Sequence, residues 1–326
     1  MADAKQQVHI VLVHGACHGA WCWYKLKPLL EAAGHRVTAF DLAAAGVDKR
    51  TLEELRSFEH YSEPLLDFMA SLPPEEKVLL LGHSLGGMNI ALAMEKYPQK
   101  IKVAVFVTAV MPDCKHDPSY VLKQATEVKG DDDWLDAEFK PYGPPEKNLT
   151  RVFFGPKFIA NKLYNHCSPE ILKMGLEEET STLGYPNLDS PTLKPKCTIS
   201  NGSSVNISNF SGNNRVASSR SVIFMRDVAL GIMLARPCRM FDNDLAKQSA
   251  FTEEGYGSVK RVFIVCPKDQ AISLQFQRWQ IETCGADQVK ELANSDHMPM
   301  LSQPQELCQC LLEIIADHYA SLIPSY

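Results

Sequence analysis

The chain has 326 residues, of which 45% are hydrophobic and 22% charged, and its formal net charge is −6. This length and composition predict a globular α/β domain with room for an added cap, and the negative charge gives no reason to expect nucleic acid or an anionic membrane as a partner. No apolar run is long enough to span a membrane, and residues 1–7 are polar rather than signal-like, so we expect a cytoplasmic protein.

The first part of the chain alternates between apolar runs and helical patterns. Residues 9–13 and 36–40 are predicted strands, with an amphipathic helix over 21–33 between them. A second helix is predicted over 51–71. Strands that alternate with helices in this way are typical of a parallel sheet.

The next predicted strand, residues 77–81, leads directly into Gly-His-Ser-Leu-Gly at 82–86, and a helical pattern follows over 87–97. This is a G-x-S-x-G motif in a strand–turn–helix setting. The glycines are needed because a side chain at either position would collide with neighbouring backbone in so tight a turn. The motif therefore predicts that Ser84 is a nucleophile held out at the carboxyl end of its strand.

A serine nucleophile requires a base and an acid that orients the base, and on parallel α/β sheets the chain order is serine, acid, histidine. Asp269 follows the predicted strand 262–266, and His297 follows the predicted strand 289–293. Both lie where open α/β sheets place their sites. Asp296 is the alternative acid. Neighbouring residues rarely direct their side chains at each other's ends, so we favour Asp269.

An oxyanion hole needs two backbone N–H groups. Leu85, directly after the nucleophile, would supply one, and Ala16, in the loop after the first strand, the other. His14 and His18 are four residues apart and could suggest a metal site. The stretch between them contains Gly15, lacks an acidic partner and leaves a strand rather than lying on a helix. We therefore predict neither a metal nor an organic cofactor.

Between about residues 111 and 257 the regular alternation is lost, and we interpret this stretch as a cap. The cap divides the core into 1–110 and 258–326, which ends with a predicted helix over 304–319. Inside the cap, residues 171–226 are rich in Ser, Asn, Thr and Gly, a composition that cannot offset the entropy of ordering. We expect a flexible polar excursion there.

The ten cysteines do not have the placement of a disulfide framework. Cys266 falls in a predicted core strand, Cys308 and Cys310 fall in the last helix, and there is no C-x-x-C pair with zinc spacing. We expect reduced thiols.

Four segments together resemble the plant methylesterase family of α/β-hydrolases. They are HGACHGAW at 14–21, GHSLGG at 82–87, FQRWQ at 276–280 and DHM at 296–298. This family includes methyl salicylate, methyl jasmonate and methyl indole-acetate esterases and polyneuridine aldehyde esterase. The resemblance implies the α/β-hydrolase fold, with a mostly parallel central sheet, helices on both faces and an inserted cap. It also implies that residues 171–226 are a polar insertion, either a lid extension or the product of a translated intron or gene-model error.

By the same resemblance, Ser84, Asp269 and His297 correspond to the catalytic triad, and Ala16 and Leu85 to the oxyanion hole. The implied activity is hydrolysis of methyl esters of small plant hormones or metabolites, such as salicylate, jasmonate or indole-3-acetate, through an acyl-enzyme and without a cofactor. The residues expected to border the substrate pocket are His18, Trp134, Phe139 and Met298.

Two alternatives are kept beside the esterase. Related hydroxynitrile lyases add a threonine in the first oxyanion loop and a lysine after the catalytic histidine, where this chain has Ala16 and Met298. A hormone-binding protein with little turnover is the second alternative. No segment has a coiled-coil or other interface pattern, so a homodimer stays open beside a monomer.

Overall fold

The computed structural model describes residues 7–127, 130–147, 149–167 and 226–319. The polar insertion predicted at about 171–226 lies, apart from its last residue, outside the described residues. In chain order the strands are β1 (His9–Val13), β2 (Arg36–Ala39), β3 (Val78–His83), β4 (Ile101–Val107), β5 (Glu138–Tyr142), β6 (Leu149–Phe153), β7 (Cys238–Met240), β8 (Arg261–Val265) and β9 (Gln288–Glu291). The helices are α1 (Leu26–Ala32), α2 (Phe58–Ser71), α3 (Gly86–Lys96), α4 (Ser119–Glu127), α5 (Pro156–Phe158), α6 (Arg226–Leu234), α7 (Asp242–Leu245), α8 (Leu274–Gln280), α9 (Pro299–Ser302) and α10 (Pro304–Tyr319).

The larger sheet has the strand order β2-β1-β3-β4-β8-β9, and every neighbouring pair is parallel. The predicted α/β fold class is therefore confirmed. All residues of β1 and β3 are buried, because helices cover both faces of a parallel sheet and its central strands become continuously apolar. From β1 the chain runs outward to β2, then returns to the other side of β1 as β3. The carboxyl ends of β1 and β3 thus form the switch point at which α/β sheets bind ligands.

Two predicted helices are shorter than expected. The helix predicted over 21–33 is divided into a 3₁₀ turn, Ala20–Trp23, and the separate helix α1. The helix predicted over 51–71 is divided in the same way, because the backbone at Ser57 is extended and its Oγ accepts a hydrogen bond from the N–H of His60 at 3.1 Å. A serine with this geometry caps a new helix rather than continuing an old one.

The stretch interpreted as a cap holds a second, antiparallel sheet in the order β5-β6-β7. None of the described residues between 111 and 257 contributes a strand to the larger sheet. Val152 on β6 faces Phe139 on one side and Cys238 on the other, and its side chain is buried. The backbone N–H of Arg236, just before β7, donates to the carbonyl of Cys17 at 3.0 Å, so the small sheet is fastened to the loop after β1.

Nine of the ten cysteines lie in the described part of the chain, and all nine are free thiols. Cys17, Cys22 and Cys266 are among those with buried side chains, where burial raises the thiol pKa. Across the described ranges, no helix combines the length and apolarity that crossing a membrane would take.

Candidate active site

Ser84 occupies the sharp turn between β3 and α3. Its φ is +54°, in the left-handed region that costs a non-glycine residue about 1–2 kcal/mol. Hydrogen bonds hold this backbone in place, including the Val110 N–H to the Ser84 carbonyl at 2.9 Å. A Cβ on Gly82 would lie 2.6 Å from the Gly86 carbonyl oxygen, and one on Gly86 would lie 2.6 Å from that of His14. Both glycines are therefore required by close backbone approach, as the motif predicts.

Asp269 and His297 come together at the carboxyl ends of β8 and β9. Oδ2 of Asp269 lies 2.7 Å from Nδ1 of His297, and Oγ1 of Thr108 donates to the same oxygen. Oδ1 accepts the backbone N–H groups of Ala271 at 2.6 Å and Ile272 at 2.8 Å. The carboxylate is thus held on both oxygens. In a neutral His297 ring the proton sits on Nδ1, which leaves the Nε2 lone pair available as a base.

The alternative acid, Asp296, is directed away from the His297 ring. Oδ2 accepts the backbone N–H of His166 at 2.8 Å, and Oδ1 accepts the N–H of Met298 at 3.0 Å and the hydroxyl of Ser302 at 2.7 Å. The side chain is fully buried, and this burial raises its pKa. The structure therefore pairs His297 with Asp269 and leaves Asp296 as a buried acceptor of loop N–H groups.

Two polar residues at this site were not identified from the sequence. His83 donates from Nε2 to the carbonyl of His297 at 2.7 Å, and the two rings lie 4.7 Å apart. Burial, with the neighbouring His297, lowers the pKa of His83 well below the ordinary value, so its ring is neutral. Thr108 follows β4 directly and bonds to Asp269. A threonine at the carboxyl end of an apolar strand, beside the strand of the nucleophile, was the available signal.

The two expected oxyanion donors lie beside Ser84. Within the described ranges, neither the N–H of Ala16 nor that of Leu85 has a hydrogen-bond partner. The carbonyl of Gly15, which belongs to the same peptide unit as the Ala16 N–H, accepts the Nδ1 proton of His14 at 2.8 Å. Leu85 caps α3, where the helix dipole favours negative charge. This corner of the site can stabilise an oxyanion.

His14 and His18 are both engaged by protein groups. His14 Nε2 accepts the N–H of Leu42 at 3.1 Å, whereas His18 lies between the Ala16 carbonyl, at 2.8 Å from Nδ1, and the Tyr164 hydroxyl, at 2.8 Å from Nε2. Burial lowers the pKa of His18 to about 4. The ring is therefore neutral at ordinary pH, donating from Nδ1 and accepting at Nε2. In the part of the chain that the structure describes, no group of three or more His, Cys, Asp or Glu is arranged to hold a metal.

A cavity of about 830 Å³, counted with the part open to solvent, lies over Ser84 and His297. The cap side of the cavity is mostly apolar and aromatic, and its residues are Leu122, Ala125, Thr126, Trp134, Phe139, Val152, Phe154, Phe158, Leu163 and Met240. No Lys, Arg, Asp or Glu from the described ranges lines it. The cavity therefore suits an uncharged, apolar group.

Three of the four residues expected at the pocket line this cavity, namely His18, Trp134 and Phe139. The rings of Trp134 and Phe139 meet edge to face, with centroids 4.7 Å apart, and Phe139 is 40% exposed. Met298 does not line the cavity, and that expectation is wrong. The chain turns into α9 at Met298, so its side chain packs in the interior and is 0% exposed.

Comparison with known proteins gives several full-length matches. A profile described as Alpha/beta hydrolase family matches residues 10–309. Salicylic acid-binding protein 2 of Nicotiana tabacum is 48% identical over 310 residues, covering 95% of this chain and 98% of that protein. Methylesterase 1 of Arabidopsis thaliana is 43% identical over 320 residues, covering 98% and 100%. The crystal structure of polyneuridine aldehyde esterase matches with a TM-score of 0.76 at 44% identity, covering 95% of this chain and 99% of that one. The similarity thus extends over almost the whole chain.

Proposed function

Because the chain belongs to the alpha/beta hydrolase family, we propose that it is a carboxylic-ester hydrolase of the plant methylesterase type, acting on methyl esters of small apolar or aromatic acids. One observation carries the proposal: His297, whose Nδ1 lies 2.7 Å from Oδ2 of Asp269, lines the same apolar cavity as the strained Ser84. The names of two relatives, Methylesterase 1 and polyneuridine aldehyde esterase, support an ester substrate.

Acylation begins when Nε2 of His297 takes the proton of the Ser84 hydroxyl as Oγ attacks the ester carbonyl. The negative charge that develops on the carbonyl oxygen is stabilised by the N–H groups of Ala16 and Leu85. Asp269 keeps the imidazole in the required tautomer and stabilises its protonated form. His297 then returns the proton to the methoxy oxygen, so that methanol leaves and the acyl group stays on Ser84.

Deacylation repeats these steps with water as the nucleophile. His297 takes a proton from water while the resulting hydroxide attacks the acyl carbon, and it then returns that proton to Ser84 Oγ. One ester and one water become one acid and one methanol. Neither a metal nor an organic cofactor takes part in this scheme.

The decisive experiment replaces the Ser84 hydroxyl. Ser84→Ala should lower kcat for methyl ester hydrolysis by about 10⁴–10⁶-fold, the scale of loss when a triad nucleophile is removed. The matched control is Ser62→Ala, which removes a fully buried hydroxyl bonded to the Phe58 carbonyl, away from the cavity. The control should retain turnover. Normal hydrolysis by Ser84→Ala would refute the assignment.

Cyanohydrin cleavage has less support. The lyase pattern requires a hydroxyl in the first oxyanion loop and a cation after the catalytic histidine. Ala16 has no hydroxyl, and Met298 is neither a cation nor part of the cavity wall. Release of cyanide from a cyanohydrin at a rate comparable to ester hydrolysis would contradict this reasoning.

Binding of an acid without turnover is the second candidate, because one relative is named as a salicylic acid-binding protein. The methyl esters of salicylate, jasmonate and indole-3-acetate should be compared by kcat/KM, with methanol followed over many turnovers. Sustained release of methanol supports the esterase. One equivalent or less per protein, together with tight acid binding, supports a receptor.

A further inference from the structure

Four consecutive cap residues, 164–167, contact all three loops that carry the proposed chemistry. We call them the bridging segment. The loops are the oxyanion loop (14–18), the acid loop (266–272) and the base loop (294–298). The segment follows a short π-helical turn, Ile159–Leu163, and is closed by a hydrogen bond from the Cys167 N–H to the Tyr164 carbonyl at 3.2 Å.

Tyr164 connects the segment to the oxyanion loop. Its side chain is fully buried, and its hydroxyl donates to His18 Nε2 at 2.8 Å. On the other side of the ring, His18 Nδ1 donates to the carbonyl of Ala16 at 2.8 Å. The tyrosine fits tightly, because a Cβ on Gly231 of α6 would lie 2.8 Å from its Cζ. A chain of two hydrogen bonds thus runs from the cap to the residue whose N–H is the expected oxyanion donor.

The next two residues reach the other loops. Asn165 Nδ2 donates to the carbonyl of Lys268, one residue before Asp269, at 3.2 Å. The backbone N–H of His166 donates at 2.8 Å to Oδ2 of Asp296, one residue before the proposed base. The acid and base loops are also joined directly by the Lys268 N–H to the Ser295 carbonyl at 3.0 Å.

The contact at Asp296 is the most constrained of the three. This fully buried carboxylate accepts from His166 in the cap and, through its other oxygen, from the N–H of Met298 in the base loop. One side chain therefore fixes the backbone on both sides of His297 relative to the cap. The carbonyl of His297 is held in addition by His83.

We propose that the bridging segment is a positioning element, which holds the oxyanion donor, the acid and the base in one arrangement through hydrogen bonds from Tyr164, Asn165 and His166 to one loop each. The inference rests on the proposed ester hydrolysis. Because the three hydrogen bonds come from consecutive residues, a single ordered conformation of the segment places all three donors. Losing one bond should therefore loosen the others, so that Tyr164 and Asp296 act on turnover as a coupled unit although they contact different loops.

A double-mutant cycle on kcat tests this coupling. Tyr164→Phe and Asp296→Asn should each lower kcat about five- to tenfold while KM changes less than about twofold, the scale of one buried hydrogen bond. The double variant should fall about as far as the larger single loss rather than by the product of the two. The control is Tyr24→Phe, which removes a tyrosine hydrogen bond of 2.6 Å to Asp227 away from the loops and should keep the wild-type kcat.

The assay uses p-nitrophenyl acetate, an activated ester whose cleavage does not depend on the methyl ester assignment. If the wild type cleaves p-nitrophenyl acetate but no methyl ester, only the proposed function is overturned. If it cleaves neither kind of ester, the proposed function and the positioning role are both overturned. Losses that multiply in the double variant, or changes confined to KM, would overturn the positioning role. If thermal denaturation shows that Asp296→Asn does not fold, Asn165→Ala replaces it in the cycle, with the same expected coupling.

Discussion

Removing the hydrogen bond from Thr108 to Asp269 should lower kcat/KM by a measurable factor. Thr108 is fully buried behind the acid loop, and its hydroxyl donates to Oδ2, the oxygen that also faces His297. Thr108→Val replaces the hydroxyl with a methyl group of similar size. The carboxylate keeps the Ala271 and Ile272 N–H groups on Oδ1. On the Oδ2 side, the only partner left among the described residues is His297, so this oxygen is held less firmly.

The expected loss follows from the charge on the acceptor. A hydrogen bond to an ionised group is worth about 1.5–3 kcal/mol, which would correspond to roughly 10- to 150-fold in rate if the transition state lost all of it. The bond also exists in the ground state, so we expect the low end, about a tenfold fall in kcat/KM. The φ of +36° at this position strains valine and threonine alike, so backbone strain should not add to the difference.

Thr108→Ser is the matched control, because it keeps the hydroxyl and removes only a methyl group. Initial rates of ester hydrolysis and thermal denaturation should be measured on the wild type and both variants. Serine should stay within about threefold of the wild type, in the range of a small packing defect. Wild-type kcat/KM in Thr108→Val, or equal losses in both variants, would show that the hydroxyl does not position Asp269.

Three further outcomes follow from the site. Gly15→Ala would place a Cβ 2.7 Å from the Cβ of Ser84 and should lower kcat/KM by about 100-fold. The control is Gly130→Ala, whose new Cβ would have no neighbouring atom within 4 Å, and its kcat/KM should match that of the wild type. Because burial lowers the pKa of His18 from 6.5 to about 4, the unfolded chain binds the extra proton as pH falls through this window. The neutral His18 ring should therefore lower the free energy of unfolding by about 3 kcal/mol as the pH falls to 4. Urea denaturation should show that the free energy of unfolding falls less steeply with decreasing pH in His18→Asn than in the wild type. Equal slopes in the two proteins would contradict this expectation. No lysine or arginine of the described ranges lines the cavity, so a product acid should take up one proton when it binds. Inhibition by salicylate should therefore weaken about tenfold per pH unit from pH 6.5 to 8.5. An inhibition constant that does not change with pH would show that the anion binds alone.

The sheet strands and the motif around Ser84 could be predicted because each has a recognisable pattern over a few consecutive residues. Strands buried on both faces are uninterrupted apolar runs, and the glycines around Ser84 are required by backbone contacts within the same turn. Asp269 could be placed because it follows such a strand, and His297 because it follows a shorter predicted strand, which the structure places at the sheet edge as β9. The helix over 51–71 could not be bounded, since a single serine cap at Ser57 outweighs a continuous amphipathic pattern.

The prediction for Met298 was wrong for a different reason. Its position beside His297 in the sequence suggested that both would face the substrate. The backbone turns into α9 between them and the next residues, so one side chain reaches the cavity and the other packs in the interior. Adjacency in sequence says little about which side of a loop a residue occupies.

The residues that escaped prediction share one property: each acts on a group far away in the sequence. His83 bonds to a backbone carbonyl 214 residues later, Thr108 to a carboxylate 161 residues later, and Tyr164 to a ring 146 residues earlier. Sequence spacing does not predict such a contact, because a residue at another position could make the same hydrogen bond in a chain that brings the same loops together. What the sequence does record is a polar residue in an apolar setting, and each of these three is a polar side chain that is fully or almost fully buried. A buried polar group must find a partner on folding. Polar residues at the carboxyl end of a predicted core strand are therefore the ones to consider as supports for a proposed triad, before any of their partners can be named.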